Sequence, residues 1–242
     1  MFTPLLCIYL SNDIQDILYR FKMLSYTEEN YLKIIFSLSY PHSLEITTND
    51  IAKKLEINPA SVSDMLKKLN QKKLIDYAKY QGVKLTNEGK KIAIEIVRKH
   101  RLWETFLVDK LNFSWDEVHD VAEQLEHIQS GLLIERLYKF LDCPTFDPHG
   151  EPIPNEHGEF PVTENLVCLN SCTNQQKIQV KSITDDSSTL LQYLSKISVS
   201  IGALIEICDK NTYDNSIDVI INENRNTTLS KEISEKIYGV LL

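Results

Sequence analysis

The chain of 242 residues lacks several features that would assign it to a common class of protein. It has no run of about 18 apolar residues, so no membrane-spanning helix is expected. Its five cysteines are an odd number in a long chain, which favours the reducing cytoplasm over a disulfide framework. It also lacks a glycine-rich nucleotide-binding loop, an HExxH motif and a GxSxG motif. We therefore predict a cytoplasmic protein without a membrane span, and the missing motifs argue against an enzyme.

The first 22 residues differ from the strongly patterned sequence that follows them. They have no basic start, only a short apolar run and no small-residue cleavage site, so they do not resemble a signal peptide. We interpret residues 1–22 as an N-terminal extension. Our hypothesis is that translation starts at Met23, which mass spectrometry of the native N-terminus would test.

Charge is distributed unevenly along the chain. Residues 47–101 contain 13 lysines and arginines against 6 acidic residues, a net charge of +7, whereas the remaining residues have a net charge of −15. A basic segment within an acidic chain indicates a module that binds a polyanion. A solvated lysine face would have the same composition, so the pattern of secondary structure has to distinguish the two.

The order of elements in residues 23–87 predicts a winged helix-turn-helix. The segments "YTEENYLKIIFSLSY" and "TTNDIAKKLEI" have apolar residues at helical spacing. "NPASVSDMLKKLN" predicts a recognition helix with Asn58 as its cap and Pro59 at its first position. The alternating "LIDYAKYQGVKLT" predicts a two-stranded wing. The candidate DNA-binding residues on these two elements are Ser61, Ser63, Lys67, Lys68, Lys79 and Lys84.

Histidines and glutamates accompany the apolar faces of two helices predicted within residues 88–150. "HRLWE" places His100 and Glu104 one helical turn apart. If "VHDVAEQLEH" is helical throughout, one stripe of it carries His119, Glu123, Glu126 and His127. Such groups are costly to bury without partners, and a bound cation removes that cost. Carboxylate oxygen and imidazole nitrogen suit divalent ions such as Mn²⁺, Fe²⁺ or Zn²⁺.

The remaining segments predict a dimer, a linker and a small β domain. The long helix that begins near Asn87 has more apolar surface than one small domain needs, so we expect a homodimer. Residues 151–165 belong to a proline-rich stretch and are predicted to form a linker. Residues 166–242 contain four segments in which apolar and polar residues alternate as in β-strands: "KIQVKSI", "ALIEICD", "SIDVIIN" and "KIYGVLL". The segment "STLLQYLSKI" predicts a helix. The predicted fold is therefore mostly α with a small, barrel-like β domain.

This pattern leaves three functions open. A metal site joined to a basic winged helix indicates a metal-activated regulator that binds DNA. A metal-dependent hydrolase with an accessory winged helix would need a solvent-open metal position and a general base with no other partner. A regulator that does not depend on metal would bind DNA equally well in the presence of a chelator.

The sequence resembles the metal-dependent transcriptional repressors typified by the diphtheria toxin repressor and the manganese transport regulator. Six segments follow the order of that family over about residues 24–154: "YTEENYLKIIFSL", "NPASVSDMLKKL", "LTNEGKKIA", "RKHRLWE", "VHDVAEQLEH" and "DPHGEPIP". The resemblance implies a C-terminal SH3-like domain of the ferrous-transport-A type. It also implies a homodimer that represses metal-uptake genes by binding a near-palindromic operator in double-stranded DNA when Fe²⁺ or Mn²⁺ is bound.

The resemblance further implies two metal sites in each subunit. The ancillary site would use His100, Glu104 and His119, with Asp186 or its neighbour Asp185 from the C-terminal domain. The regulatory site would use Asn30, Glu123, Glu126 and His127.

The residues at the regulatory site differ from both branches of the family. Iron-type members have a cysteine at the position of Glu123 and a methionine at that of Asn30. Manganese-type members share the glutamate but have acidic residues at the positions of Asn30 and Lys33. Iron and manganese therefore both stay open, and the presence of a third domain favours iron.

Overall fold

The computed structural model describes residues 24–40, 46–78, 82–162 and 165–242. They form two compact units: residues up to Val97 together with 127–129, and residues 98–126 together with 130–242. The N-terminal extension and Lys79 in the predicted wing lie outside the described residues. The described part of the chain contains no helix with both the length and the apolar character that crossing a bilayer requires.

The first unit contains the winged helix-turn-helix that the sequence predicts. Its elements are α1 (Tyr26–Ser39), α2 (Thr48–Leu55), α3 (Pro59–Gln71), β1 (Ile75–Tyr77), β2 (Val83–Leu85) and the start of α4 (Asn87–Leu111). The two strands pair antiparallel, with Ile75 opposite Leu85. The inward faces of α1, α2 and α3 supply fully buried side chains: Leu32, Ile35, Ile51, Val62, Leu66 and Leu69.

Local capping determines where the helices of the DNA-binding fold begin. Thr47 and Asp50 form a reciprocal capping box at α2, since each side chain bonds the backbone N–H of the other. At α3 the Asn58 side chain accepts the N–H of Ala60, and Pro59 occupies the first turn, where its missing N–H costs nothing. Both starts agree with the prediction from sequence.

The second unit continues α4 from Arg98 and adds α5 (Val118–Leu125) and α6 (Gly131–Phe140). The prediction that α5 extends to His127 is wrong, because the helix ends at Leu125. The N–H of Glu126 still bonds the carbonyl of Ala122, at 2.9 Å, but the chain then turns toward Ser130, which caps α6. Glu126 and His127 therefore lie beyond the end of the helix that carries His119 and Glu123.

One antiparallel sheet of six strands forms the C-terminal part of the second unit. Its elements are β3 (Val167–Cys168), β4 (Lys177–Ile183), α7 (Ser188–Lys196), β5 (Leu204–Lys210), β6 (Ile217–Ile221), β7 (Arg225–Leu229), α8 (Lys231–Ser234) and β8 (Ile237–Leu241). The strand order is β3-β8-β4-β5-β6-β7. The four predicted strands and the predicted helix are present. β3 and β7 were not predicted, because β3 has two residues and β7 is mostly polar, and these two edge strands do not pair to close a barrel.

The proline-rich stretch has no regular structure, as predicted, yet α4 holds it closely. Phe146 forms an isolated β-bridge with Pro152. Arg98 Nε donates to the carbonyl of Pro154 at 3.0 Å, and Arg101 Nη1 donates to that of Pro152 at 2.6 Å. The first part of the predicted linker is therefore anchored to the helix that carries His100.

Candidate metal centre and DNA-binding surface

His100 lies at the middle of a buried group of acidic side chains in the second unit. Its Nε2 is 3.0 Å from Glu104 Oε1, one helical turn further along α4. Its Nδ1 is 2.6 Å from Glu126 Oε2 and 3.8 Å from Glu123 Oε1, both contributed by α5 and the turn after it. Glu104 is 2% exposed and Glu126 0%. Helical spacing explains the first contact, whereas the others require α5 to pack beside α4.

His119 extends this group toward the C-terminal sheet. Its Nδ1 is 3.8 Å from Glu104 Oε1 and 3.1 Å from Asp186 Oδ2. Its Nε2 is 3.7 Å from Glu123 Oε1. The His100 and His119 rings meet edge to face, with centroids 5.1 Å apart. Asp186 lies in the loop between β4 and α7, so an acidic residue of the C-terminal domain contacts His119.

These side chains form two overlapping triads with the spacing of metal ligands. One ligand atom from each of His100, Glu104 and His119 lies within 4.8 Å of the others, and the same holds for His100, Glu123 and Glu126. His100 is common to both triads. Imidazole nitrogen and carboxylate oxygen are donors suited to divalent first-row ions, so the residues present fit the metals that the sequence predicts.

Two buried polar atoms point to the same interpretation. Among the described residues, the buried side-chain atoms without a hydrogen bond include Asn30 Oδ1 and His119 Nδ1, and the latter meets its acidic neighbours without hydrogen-bond geometry. Leaving such an atom unsatisfied costs about 1–3 kcal/mol. Both residues were predicted as ligands, one for each site, and coordination of a cation would use the lone pairs of these atoms.

The electrostatic environment keeps Glu104 in the form that binds metal. Burial alone would raise the pKa of Glu104, but His100, His119 and His149 outweigh that effect and hold the pKa well below its ordinary value. Burial would lower the pKa of His149, yet its hydrogen bond and charge attraction to Glu104 raise the pKa to about 9. For Asp147, burial and then the charge of Glu104 raise the pKa to about 7.

Sequence reasoning gave no role to Asp147 and His149. Together with Glu104 they form a third buried group whose ligand atoms lie within 4.8 Å of one another. His149 was visible in the segment "DPHGEPIP", but the prolines around it indicated a linker. A histidine and an aspartate among prolines were the only signal there, and spacing alone could not connect them to Glu104.

In the first unit, His127 is held by Glu29, which the sequence did not single out. Glu29 is fully buried. Its Oε2 lies 2.5 Å from His127 Nδ1, and its Oε1 accepts from Gln129 Nε2 at 2.7 Å. The His127 ring stacks on Tyr26 with centroids 4.4 Å apart. Since a carboxylate only accepts, Nδ1 carries the hydrogen, and Nε2 is the nitrogen of His127 that suits a metal ion.

The predicted ligands of the regulatory site are divided between the two units. Asn30 and His127 belong to the first unit, while Glu123 and Glu126 belong to the second. Within the second unit, Glu123 and Glu126 meet His100, which the sequence assigned to the ancillary site. Helical spacing could not reveal this contact, because Glu126 lies 26 residues after His100.

Most of the predicted DNA-binding residues are exposed on α3 and the wing. Ser61, Lys67, Lys68 and Lys84 are exposed, and Ser63 is partly buried. Lys67 Nζ donates to Asp64 Oδ1 at 2.9 Å, an exposed pair one turn apart. The Ser63 hydroxyl donates to the carbonyl of Pro59 at 3.0 Å. The structure does not describe the side chain of Lys79.

Comparisons with known proteins agree with this combination of units. Residues 23–83 match the family model for the iron-dependent repressor N-terminal DNA-binding domain. Residues 86–155 match the metal-binding and dimerisation domain of iron-dependent repressors, and residues 167–240 match the FeoA domain. The iron-dependent repressor IdeR of Mycobacterium leprae (strain TN) is 29% identical over 222 residues, covering 87% of this chain and 95% of that protein.

Two solved structures are similar to this protein over most of the chain. A manganese-dependent transcriptional repressor in complex with manganese has a TM-score of 0.82 and 32% identity, covering 89% of this chain and 100% of that one. The manganese regulator SloR has a TM-score of 0.74 and 33% identity, with coverages of 89% and 97%. Its residues, its fold and these relatives show that the chain belongs to the family of metal-dependent transcriptional repressors, which includes iron-dependent and manganese-dependent members.

Proposed function

We propose that this protein is a homodimeric transcriptional repressor that binds an operator in double-stranded DNA when Fe²⁺ or Mn²⁺ is bound. The observation that carries the metal dependence is the position of His100, buried and common to both triads. Its regulated genes would be those of metal homeostasis, and its place of action would be the cytoplasm. The role is regulatory rather than catalytic.

An excess of acidic groups, of which Glu104, Glu126 and Asp147 are buried, supports two metal ions in each subunit. Six carboxylates lie in or beside the triads of the second unit: Glu104, Glu123, Glu126, Asp147, Glu151 and Asp186. The guanidinium of Arg101 lies beside Asp147 and Glu151 and offsets part of this charge. Like charges at close range in a poorly solvated site repel one another. Two divalent ions would supply four positive charges, which brings the group close to neutrality.

We assign the two ions as the sequence predicts, with one addition. The ancillary ion would be held by His100, Glu104, His119 and Asp186, and the regulatory ion by Asn30, Glu123, Glu126 and His127. The addition concerns His100, whose Nδ1 faces Glu126 at 2.6 Å. This contact supports a role for His100 beside the regulatory ligands as well as at the ancillary ion.

The donor atoms support manganese and iron alike. The proposed ligands contain no thiolate and no thioether, since Glu123 and Asn30 stand where iron-type members have cysteine and methionine. Carboxylate and carbonyl oxygens are donors that suit Mn²⁺ well. A competition between the two metals for operator binding, at controlled free concentrations, would identify the activating ion.

The winged helix would bind DNA through α3 and the wing. In this kind of fold the recognition helix enters the major groove, and two copies in a dimer read half-sites about one helical turn apart. We propose that Ser61 and Ser63 contact bases or phosphates near the start of α3. The lysines would contact phosphates and make binding sensitive to salt: Lys67, Lys68, Lys79 and Lys84.

The phosphate role of Lys67 predicts a change in salt dependence. Lys67→Ala is expected to weaken operator binding and to reduce the slope of log K against log salt concentration by roughly one unit. The reason is that one phosphate contact, and the counterions it releases, is lost. Fluorescence anisotropy with a labelled operator at several salt concentrations measures the slope. Lys196→Ala, an exposed lysine at the end of α7, is the matched control and should leave it unchanged. An unaltered slope for Lys67→Ala would remove this residue from the interface.

The proposed function is tested by titrating the protein onto DNA from the promoter of its own gene. The titration is made under anaerobic conditions, first with EDTA and then with added Fe²⁺, Mn²⁺ or Zn²⁺. We expect metal to raise the affinity by about 100-fold, near the upper end of typical coupling between sites. The metal that acts at the lowest free concentration is the activating one. Binding that EDTA leaves unchanged would refute the proposal and favour a regulator that does not depend on metal.

A further inference from the structure

We propose that His149 is a positioning residue of the ancillary metal site, where it orients the ligands Glu104 and Asp186. Its side chain holds Glu104 in the orientation that faces His100 and His119, and its main chain fixes the strand that leads to Asp186. The inference rests on the proposed function, because it takes Glu104 and Asp186 as metal ligands. His149 itself is not proposed as a ligand.

The imidazole of His149 is fixed on both of its nitrogens. Nε2 is 2.8 Å from the carbonyl oxygen of Trp115, and a carbonyl only accepts, so Nε2 donates. Nδ1 faces Glu104 Oε2 at 3.5 Å. The ring is 3% exposed and lies nearly parallel to the Trp115 indole, with centroids 6.0 Å apart. Rotation of the ring would lose the Trp115 hydrogen bond, so His149 presents one defined edge to Glu104.

Glu104 needs such a partner because its two oxygens face different neighbours. Oε1 lies 3.0 Å from His100 Nε2 and 3.8 Å from His119 Nδ1, whereas Oε2 faces His149. The terminal torsion of a glutamate is soft and has no sharp preferred angle. A contact at Oε2 therefore determines where Oε1 points. Partners of this kind, one step removed from the ion, commonly orient metal ligands.

The turn that carries His149 is rigid. Asp147 Oδ1 accepts the N–H groups of His149 and Glu151, both at 2.9 Å. Gly150 has φ +80°, and a Cβ at this position would lie 1.8 Å from the carbonyl oxygen of Lys181 in β4. Glycine is therefore required by its backbone angle and by the close approach of the strand.

The main chain of the same residue connects the turn to Asp186. The carbonyl of His149 accepts the N–H of Ile183, at the end of β4, at 3.0 Å. Three residues later, Asp186 Oδ2 lies 3.1 Å from His119 Nδ1. A second link supports this connection, because Trp115 Nε1 donates to Ser195 Oγ of α7 at 2.8 Å. His149 thus joins Glu104 through its side chain and the loop of Asp186 through its backbone.

A third cation held by Glu104, Asp147 and His149 is the alternative, and the arrangement of charges disfavours it. The Arg101 guanidinium already lies there, with Nε 3.6 Å from Asp147 Oδ2. The same guanidinium also bonds Glu151, from Nε at 3.2 Å and from Nη2 at 2.7 Å. A divalent ion would have to share this pocket with a positive charge. We therefore infer a positioning role.

The test is the number and affinity of Mn²⁺ ions bound by the full-length protein, measured by calorimetry and by the electron paramagnetic resonance signal of free Mn²⁺. We expect two ions in the unaltered chain. His149→Ala should keep both ions but weaken one of them by roughly 10–100-fold. His149→Gln, whose amide can still donate to Glu104, should recover part of that loss. His157→Ala, an exposed histidine of the same stretch, is the control and should bind both ions normally.

A double variant separates positioning from a general loss of structure. If His149 acts through Glu104, then adding His149→Ala to Glu104→Ala should not weaken the ancillary ion further. Affinities of His149→Ala and His149→Gln equal to those of the unaltered protein would overturn the inference. Three ions in the unaltered chain and two in His149→Ala would overturn it in favour of the third cation. Failure of the unaltered chain to bind Mn²⁺ and, under anaerobic conditions, Fe²⁺ would instead refute the proposed function.

Discussion

His100→Ala is expected to abolish the metal-dependent part of operator binding, a loss of about 100-fold in affinity at saturating Mn²⁺. The physical reason is that His100 belongs to both triads. One substitution therefore removes a ligand of the ancillary ion and also the imidazole that contacts Glu126 beside the regulatory ion. It also leaves the buried carboxylates of Glu104 and Glu126 facing each other without the imidazole that separates them. Operator binding by fluorescence anisotropy and Mn²⁺ stoichiometry by calorimetry measure the two effects.

The matched variant for this prediction is His119→Ala. His119 belongs to only one of the two triads, so its loss should affect the ancillary ion and reduce operator affinity less than His100→Ala does. The exposed His157 provides a second comparison, since His157→Ala should bind metal and DNA normally. If His119→Ala were as damaging as His100→Ala, the shared position of His100 would have no special importance.

His127→Ala is expected to remove the response to metal and also to destabilise the first unit. The ring of His127 bonds the fully buried Glu29 and stacks on Tyr26. Loss of a hydrogen bond to a buried charged group costs about 2 kcal/mol, so the free energy of unfolding should fall by this amount. Chemical denaturation measures the stability, and operator binding with and without Mn²⁺ measures the response.

His127→Gln distinguishes the two effects. A glutamine amide can donate to Glu29, so this variant should recover most of the lost stability. Its neutral carbonyl oxygen is a weaker donor than imidazole for a first-row ion, so the metal response should remain lost. Operator affinity that still rises with Mn²⁺ as in the unaltered protein would remove His127 from the regulatory ligands.

Several features of this protein follow from the sequence alone because they depend on neighbours along the chain. Helical spacing placed His100 and Glu104 on one face of α4, and their contact at 3.0 Å confirms it. The Thr47–Asp50 box and the Asn58–Pro59 pair located the starts of α2 and α3. The alternating strands β4 and β8 were also visible, because one face of each is buried. Periods of 3.6 and 2 residues carry this information directly.

Other features were decided only when distant segments came together. Glu29 and His127 are 98 residues apart, and nothing in the acidic first turn of α1 distinguished Glu29 from an ordinary residue of a helix start. The contact of Asp186 with His119, and that of His149 with Glu104, depend on how the turn at residues 147–150 meets β4. Such contacts depend on how whole elements pack, which local periodicity does not encode. The sequence by itself therefore determined the elements, the basic segment and the candidate ligand types. The tertiary structure alone decided which ligands share His100 and which residues hold them in place.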